Sequence, residues 1–308
     1  MKDATAADRS ATGGGRAPVV AIIGLGLIGG SLGLALKRPT PNGAGPMVVG
    51  WDQDRRAGDR ALQRGAIDAL AADAADAAAQ ADAVVVAVPV LAVRAIFEQI
   101  APALRAGTFV TDVASTKAEV CAWAAASLGT AFIGGHPMAG SERGGIDQAR
   151  SDLFDGATYC LTPELSTPAG VLQRATRFVQ GVGARAVTMS PIAHDRAVAA
   201  VSHLPFLLST SLVDVTMSDP EWEAFRALAA TGFRDVSRLA SGDPRMHHDI
   251  CVTNAEAIRP WLLRTARSLE ALAAMLDDGD AVLRLFERAK RERDTFLAET
   301  GRLFNMGE

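Results

Sequence analysis

Five histidines supply the titratable chemistry available near neutral pH, and all of them, His136, His194, His203, His247 and His248, lie in the middle of the chain. An imidazole ionises near pH 6.5, so it can take up a proton and give it back at working pH. His136 sits in FIGGHPMAGSERGG, where a short strand, Ala131–Gly134, is expected to run into a polar glycine-rich loop. A histidine there would stand at the strand's carboxyl end as a general base; the plainer reading is a loop histidine satisfied by local backbone. Upstream, TDVASTK carries Ser115 and Lys117. The Ser115 hydroxyl would bridge a bound cofactor and His136, or would cap the helix that follows. His203, in AVSHLPF, is expected within a helix, as a ligand or as a structural histidine. Arg234 and Arg238 lie four apart. On one helical face they would offer two guanidiniums to a carboxylate; otherwise they form a solvated basic face.

These groups need a scaffold, and its centre is PVVAIIGLGLIGGSLGLALKR, residues 18–38. Val19 to Ile23 is a β-branched, apolar run that suits a strand buried on both faces. A helix is expected from about Leu27. Gly24, Gly26 and Gly29, followed by Gly30, fit G-x-G-x-x-G: a tight turn, close approach of backbone to a pyrophosphate, and close packing of helix on strand. The helix start presents free N–H groups to phosphate. The acidic residue expected about 20 positions on is Asp52, after the strand MVVGW. It would bond both ribose hydroxyls and repel a 2′-phosphate, which favours NAD, while Arg55 and Arg56 leave NADP open. The expected cofactor contacts are Gly24, Gly26, Leu27, Ile28, Gly29, Asp52, Arg55, Val88, Pro89 and Ser115.

Strand and helix alternate onward: helix Arg55–Arg64, helix Ala71–Asp82, strand Ala83–Val88, helix Val90–Ala101, strand Thr108–Asp112 and, after residue 150, strands Ala157–Thr162 and Ala184–Met189 around a helix over Pro168–Gly181. This predicts a doubly wound α/β domain of the Rossmann type, with ligands beyond the carboxyl ends of its strands. From Ser190-Pro191 the pattern is helical. The expected organisation is a disordered tail over 1–17, a dinucleotide-binding domain over 18–189 and an all-helical substrate and dimerisation domain over 190–308. Apolar stripes at Leu204, Leu207, Leu208 and Leu212, and at Leu262, Leu269, Leu272 and Leu276, are expected to bury part of their surface against a second subunit.

Composition sets limits. The 308 residues are 49% hydrophobic with a formal charge of −4, which gives no electrostatic footprint for nucleic acid. No apolar run is expected to cross a membrane. The three cysteines, Cys121, Cys160 and Cys251, are far apart, outside any metal-ligand spacing, and read as buried reduced thiols of a cytoplasmic protein. No metal site is expected.

Taken together and in order, the Gly24–Ser31 loop, Asp112-Val-Ala-Ser115-Thr-Lys117, His136-Pro-Met-Ala-Gly140-Ser-Glu142, Ser202-His203-Leu-Pro205 and Gly232-Phe-Arg-Asp235 with Ser-Arg238-Leu-Ala resemble the prephenate/arogenate dehydrogenases of tyrosine biosynthesis. The resemblance runs from about Val19 to about Asn254. It implies an NAD(P)-dependent oxidative decarboxylation in a homodimer, making 4-hydroxyphenylpyruvate from prephenate or tyrosine from arogenate. By the same resemblance His136 is the base for the C4 hydroxyl and Ser115 orients it. Arg238, with Arg234, binds a substrate carboxylate, His203 holds the other end, and Ser141 and Glu142 line or gate the pocket. Two positions depart from the family. Phe206 stands where many relatives have a second histidine, and His247 stands where many have Trp, a site expected to approach the substrate side chain, including across the dimer. Both bear on the choice between prephenate and arogenate. No chorismate mutase segment or regulatory domain is expected, so tyrosine feedback would act at the active site. The readings outside this one are another β-hydroxyacid or imino-acid oxidoreductase, which would carry its base on the helical domain, and an NAD-sensing regulatory protein, which would need no base.

Overall fold

The computed structural model describes residues 17–39, 45–141 and 143–300. Except for Ala17, the expected tail lies outside the described residues, as does Glu142. Val19–Ile23 (β1) is buried at every residue because it is the middle of the sheet. It pairs in parallel with Met47–Trp51 (β2) on one side and Ala83–Val86 (β4) on the other. Ala69–Leu70 (β3), Phe109–Asp112 (β5), Phe132–Pro137 (β6), Thr158–Thr162 (β7) and Arg185–Thr188 (β8) complete an eight-stranded sheet of order β3-β2-β1-β4-β5-β6-β7-β8. Strands β1 to β6 run parallel; β7 turns back antiparallel to β6 and carries β8 with it. Helices Leu27–Leu36 (α1), Arg55–Gln63 (α2), Ala74–Gln80 (α3), Val90–Ile100 (α4), Ala118–Ser127 (α5) and Ala169–Gly181 (α6) connect the strands. Two separate apolar clusters, one on each face of the sheet, form the core. This is the doubly wound fold that the alternation predicts.

The sequence reading fails at two strands. β3 is only two half-buried residues, too short to leave a period-2 pattern. The strand that carries His136 runs on to Pro137 rather than stopping at Gly134. His136 is therefore a strand residue, buried, and paired opposite Cys160 of β7. The physical reason is close approach. A Cβ on Gly134 would stand 2.3 Å from the Thr162 hydroxyl, and one on Gly135 would stand 2.5 Å from the Asp112 carbonyl oxygen. The glycines make room for neighbouring strands, and the same composition reads from sequence as a loop.

Beyond β8 the chain is helical: Pro191–Val198 (α7), a π turn over Ala199–His203, Leu204–Met217 (α8), Trp222–Phe225 (α9), Thr231–Ser237 (α10), Pro244–Thr253 (α11), Ala255–Met275 (α12) and Gly279–Thr300 (α13). α7, the π turn and α8 are one continuous helix of 27 residues, Pro191–Met217, apolar and long enough by composition alone to cross a bilayer. That corrects the expectation that no such run exists. The helix is partly core: His194, Asp195, Val198, Ala199, His203, Phe206 and Ser209 along it are buried. A buried carboxylate and two buried imidazoles along one helix belong to a packed polar site, not to a lipid face.

Candidate active site

Parallel strands bring their carboxyl ends to one edge, so the β1–α1 turn, the segment after β4, the end of β5 and the end of β6 all face the same crevice. At the first of these, Gly24 adopts φ +97, and a Cβ there would lie 2.4 Å from the Ala87 carbonyl oxygen. A Cβ on Gly29 would lie 1.9 Å from the Gly24 carbonyl oxygen, whereas one on Gly26 would meet nothing within 4 Å. Two glycines are thus required by packing and the middle one by open space, the arrangement a pyrophosphate needs. No side chain caps α1 at Gly26, which leaves its first N–H groups available to phosphate oxygens. Asp52 follows β2 and accepts the Leu25 N–H at 2.7 Å through one oxygen and the Asp54 N–H at 2.8 Å through the other. Each oxygen keeps a further lone pair. Beside it lies a cavity of about 190 Å³ lined by Asp52, Arg55, Gly58, Leu70 and Ala72, placed for an adenosine end. Arg55 is mostly exposed and pairs with Asp59. Val88 and Pro89 follow β4, with the Val88 amide against the Gly24 turn. The donor set fits a dinucleotide.

The end of β5 is locked by a fully buried ion pair between Asp112 and Lys117. Asp112 also accepts the Gly135 N–H at 3.0 Å and the Ala114 N–H at 2.8 Å, tying the ends of β5 and β6 together next to His136. α7 reaches in from the helical half. The Asp195 carboxylate accepts the Lys117 N–H at 2.7 Å and the Ala118 N–H at 2.8 Å, so it caps α5 from another element. Its neighbour His194 places Nδ1 2.7 Å from Asp195 Oδ1 and Nε2 2.8 Å from His136 Nδ1. The result is a buried chain, His136–His194–Asp195. Burial, then the neighbouring His194, Lys117 and His203, hold the His136 imidazole well below 6.5.

His203 closes the π turn, a helical irregularity common at functional sites. Its Nδ1 accepts from Asn254 Nδ2 at 3.1 Å, while the same amide donates to the Asp195 carbonyl at 2.9 Å. The proton of a neutral His203 ring is then on Nε2, and that atom alone among the described buried side-chain polar atoms has no partner. Burial pushes the ring down to about 4, so it is neutral at working pH and offers an N–H donor to an acceptor yet to arrive. The two departures from the family meet each other: Phe206 and His247 stack with centroids 4.0 Å apart and planes within 2°. Phe206 is also 6.0 Å from the His203 ring. The contact joins α8 to α11 within one chain. A Cβ on Gly242 would fall 2.6 Å from the end of the His247 ring, so the ring packs directly against that glycine.

Four of the five sequence histidines are therefore gathered, and the fifth, His248, is mostly exposed and pairs with Asp249. His194 is the residue that sequence reasoning left without a role. The His-Asp dipeptide one turn after a Ser-Pro cap was its available signal. Ser115 stands half-buried at the bend after β5. It does not cap α5, whose N-terminus begins at Lys117, and among the described residues no hydrogen bond joins it to His136. Ser141 is exposed and closes a local turn with the Arg143 backbone. Arg234 is exposed and paired with Asp235, and Arg238, at the end of α10, is exposed too. Among the described residues no hydrogen bond or ion pair joins Arg234 to the histidine cluster. Among the described residues no group of His, Cys, Asp or Glu is arranged to hold a metal.

Residues 32–188 match the family description "Prephenate dehydrogenase, nucleotide-binding domain", and residues 190–290 match "Prephenate dehydrogenase, dimerization domain". The prephenate dehydrogenase of Bacillus subtilis is 34% identical over 89% of this chain and 75% of its own length. The cyclohexadienyl dehydrogenase of Zymomonas mobilis is 32% identical over 89% of this chain and 94% of its own. Among solved structures, the Aquifex aeolicus prephenate dehydrogenase in complex with hydroxyphenyl propionate and NAD+ superimposes with a TM-score of 0.85 at 29% identity, covering 92% of this chain and 100% of that one. The Synechocystis arogenate dehydrogenase gives a TM-score of 0.78 at 29% identity, covering 90% and 99%. With a dinucleotide cradle, a buried imidazole at the same sheet edge and both halves matched in order, this chain belongs to the prephenate dehydrogenase family.

Proposed function

We propose that the chain is an NAD-dependent oxidoreductase that oxidatively decarboxylates prephenate to 4-hydroxyphenylpyruvate. The observation that carries this reading is His136, a buried imidazole at the carboxyl end of β6, on the sheet edge that also holds the Gly24–Gly29 cradle. Bound NAD supplies the hydride acceptor. His136 takes the proton of the C4 hydroxyl as that carbon is oxidised. The ring carboxylate then leaves as carbon dioxide, its electron pair makes the ring aromatic, and the C4 oxygen reclaims the proton, so protons balance over the turnover. In this reading the His203 Nε2–H donates to the substrate's far end, and the Phe206–His247 stack borders its side chain. Arg238 binds a carboxylate bidentately with Arg234 beside it, Ser115 orients the hydroxyl, and Ser141 lines the mouth. Asp52 with its adenosine-side cavity favours NAD, and Arg55 keeps NADP in play.

Arogenate is the second substrate, since the chemistry at C4 is the same and a relative of similar fold is named for it. Assaying the purified chain with prephenate and arogenate, each with NAD and NADP, and following reduced-nicotinamide absorbance tests the reading. Turnover of prephenate with NAD is expected, and no turnover in any of the four combinations sinks it.

The working form in this reading is a homodimer through the helical half. Its support is exposed apolar surface: Leu263, Leu269, Leu276, Leu283 and Phe286 on and beyond α12 are each more than half exposed. A groove of about 1310 Å³ between α5, α7 and α12, walled by Ile192, Val201, Val252 and Trp261, adds to it and excludes His136. The domain boundary is put near Ser190, between β8 and α7. Three free thiols, two of them buried, suit a reducing compartment, and the cytoplasm is the location assigned.

A further inference from the structure

Hydrogen bonding leaves little freedom in where the protons of the buried chain sit. Both Asp195 oxygens accept backbone N–H groups at the start of α5, where the helix end favours negative charge, so the carboxylate is an acceptor only. His194 Nδ1, 2.7 Å from it, must then be the donor. In a neutral ring that leaves Nε2 of His194 with a lone pair, and His136 Nδ1, 2.8 Å away, must donate to it. The remaining nitrogen of His136, Nε2, is left as the basic one.

We propose that His194 is a positioning residue for proton transfer: it fixes His136 with Nε2 as the base and takes over the proton displaced from His136 Nδ1. The proposal rests on the reading of His136 as the base. In the step, the hydroxyl O–H bond breaks and Nε2–H forms on His136, while Nδ1–H of His136 breaks and Nε2–H forms on His194. His194 becomes an imidazolium against the Asp195 carboxylate. The proton returns along the same two bonds when loss of carbon dioxide makes the C4 oxygen basic. The surroundings decide where the charge rests. His136 faces Lys117 from the turn before α5 and His203 from the π turn, with Asp112 already committed to Lys117. Cys160 across the strand stays a thiol, pushed up to about 11 by burial. Of the three imidazoles His136, His194 and His203, His194 is the one hydrogen-bonded to a carboxylate among the described residues. Burial and the neighbouring His194, Lys117 and His203 disfavour a charge resting on His136, so the proton it takes is passed on to the ring that has a carboxylate at hydrogen-bond distance.

His194→Gln keeps an acceptor for His136 Nδ1–H and cannot take a proton. We expect kcat to fall about tenfold or more, with prephenate KM and NAD affinity within about twofold. The acid limb of the kcat profile should move to lower pH, because a weaker base stays unprotonated further down. Wild-type kcat overturns the proposal, and so does a fall in kcat with the acid limb unmoved, which is what a merely structural role would give. Should the variant fail to fold, ¹⁵N-histidine spectra of the wild-type protein decide: protons on Nδ1 of both His136 and His194 are expected, and the opposite tautomer in either ring overturns it. Those spectra need no turnover, so they separate failure of this proposal from failure of the functional reading.

Discussion

At the scale of single residues, the site depends on rings kept neutral by burial. If His136 is the base, His136→Asn should cut kcat by about 10²–10⁴ and leave NAD affinity unchanged, read by reduced-nicotinamide absorbance and by cofactor titration. Near-wild-type turnover would remove the assignment. Burial also ties the fold to pH. His203 ionises at about 4 when folded, against an ordinary 6.5, so the unfolded chain takes the proton first as pH falls. Stability is therefore constant above about 6.5 and declines down to about 4. The loss is about 2 kcal/mol by pH 5, and His136, lowered likewise, adds to it with the same sign. Urea midpoints should fall between pH 7.5 and pH 5, and His203→Gln should flatten that fall. Midpoints independent of pH would show that the ring is not buried neutral. Arg238→Gln should raise the prephenate KM about tenfold or more, in line with loss of a charge-assisted bidentate contact; an unchanged KM removes that assignment.

At the scale of elements, what counts is how closely backbones approach. The β1–α1 turn was legible because three glycines, an apolar strand and an acidic residue after β2 form a pattern with one mechanical purpose. Asp52→Ser should shift preference toward NADP, measured as the ratio of kcat/KM for the two cofactors, and an unchanged ratio would show that the ribose contact lies elsewhere. Gly134 and Gly135 carried the opposite lesson. They mark a crowded strand whose neighbours include the Thr162 hydroxyl and the Asp112 carbonyl oxygen, and composition alone ended the strand at Gly134. Capping was misread in the same way. Ser115 looked like the cap of α5 by its position in sequence, whereas the cap is Asp195, far along the chain, on a helix that only the fold brings near.

At the scale of the whole molecule, α12 and α13 leave most of their apolar surface uncovered within one chain: Ile258 is the single buried residue of α12, and Leu263, Leu269, Leu276, Leu283 and Phe286 are exposed. Leu269→Asp with Leu276→Asp should yield a monomer in sedimentation analysis with the nucleotide domain still folded; an unaltered mass would place the interface elsewhere. The sequence by itself determined the alternation of strand and helix, the dinucleotide turn and the residue types of the site, because each is a local pattern in which period, spacing and side-chain chemistry suffice. Only the tertiary structure decided which histidines act together. His136 comes from a strand, His194 from α7, His203 from the π turn and His247 from α11, and their contacts follow from packing one half of the chain on the other. No short-range pattern records a contact of that kind, since the bond from His136 to His194 spans 58 positions and forms only once the sheet edge and the helix are both in place.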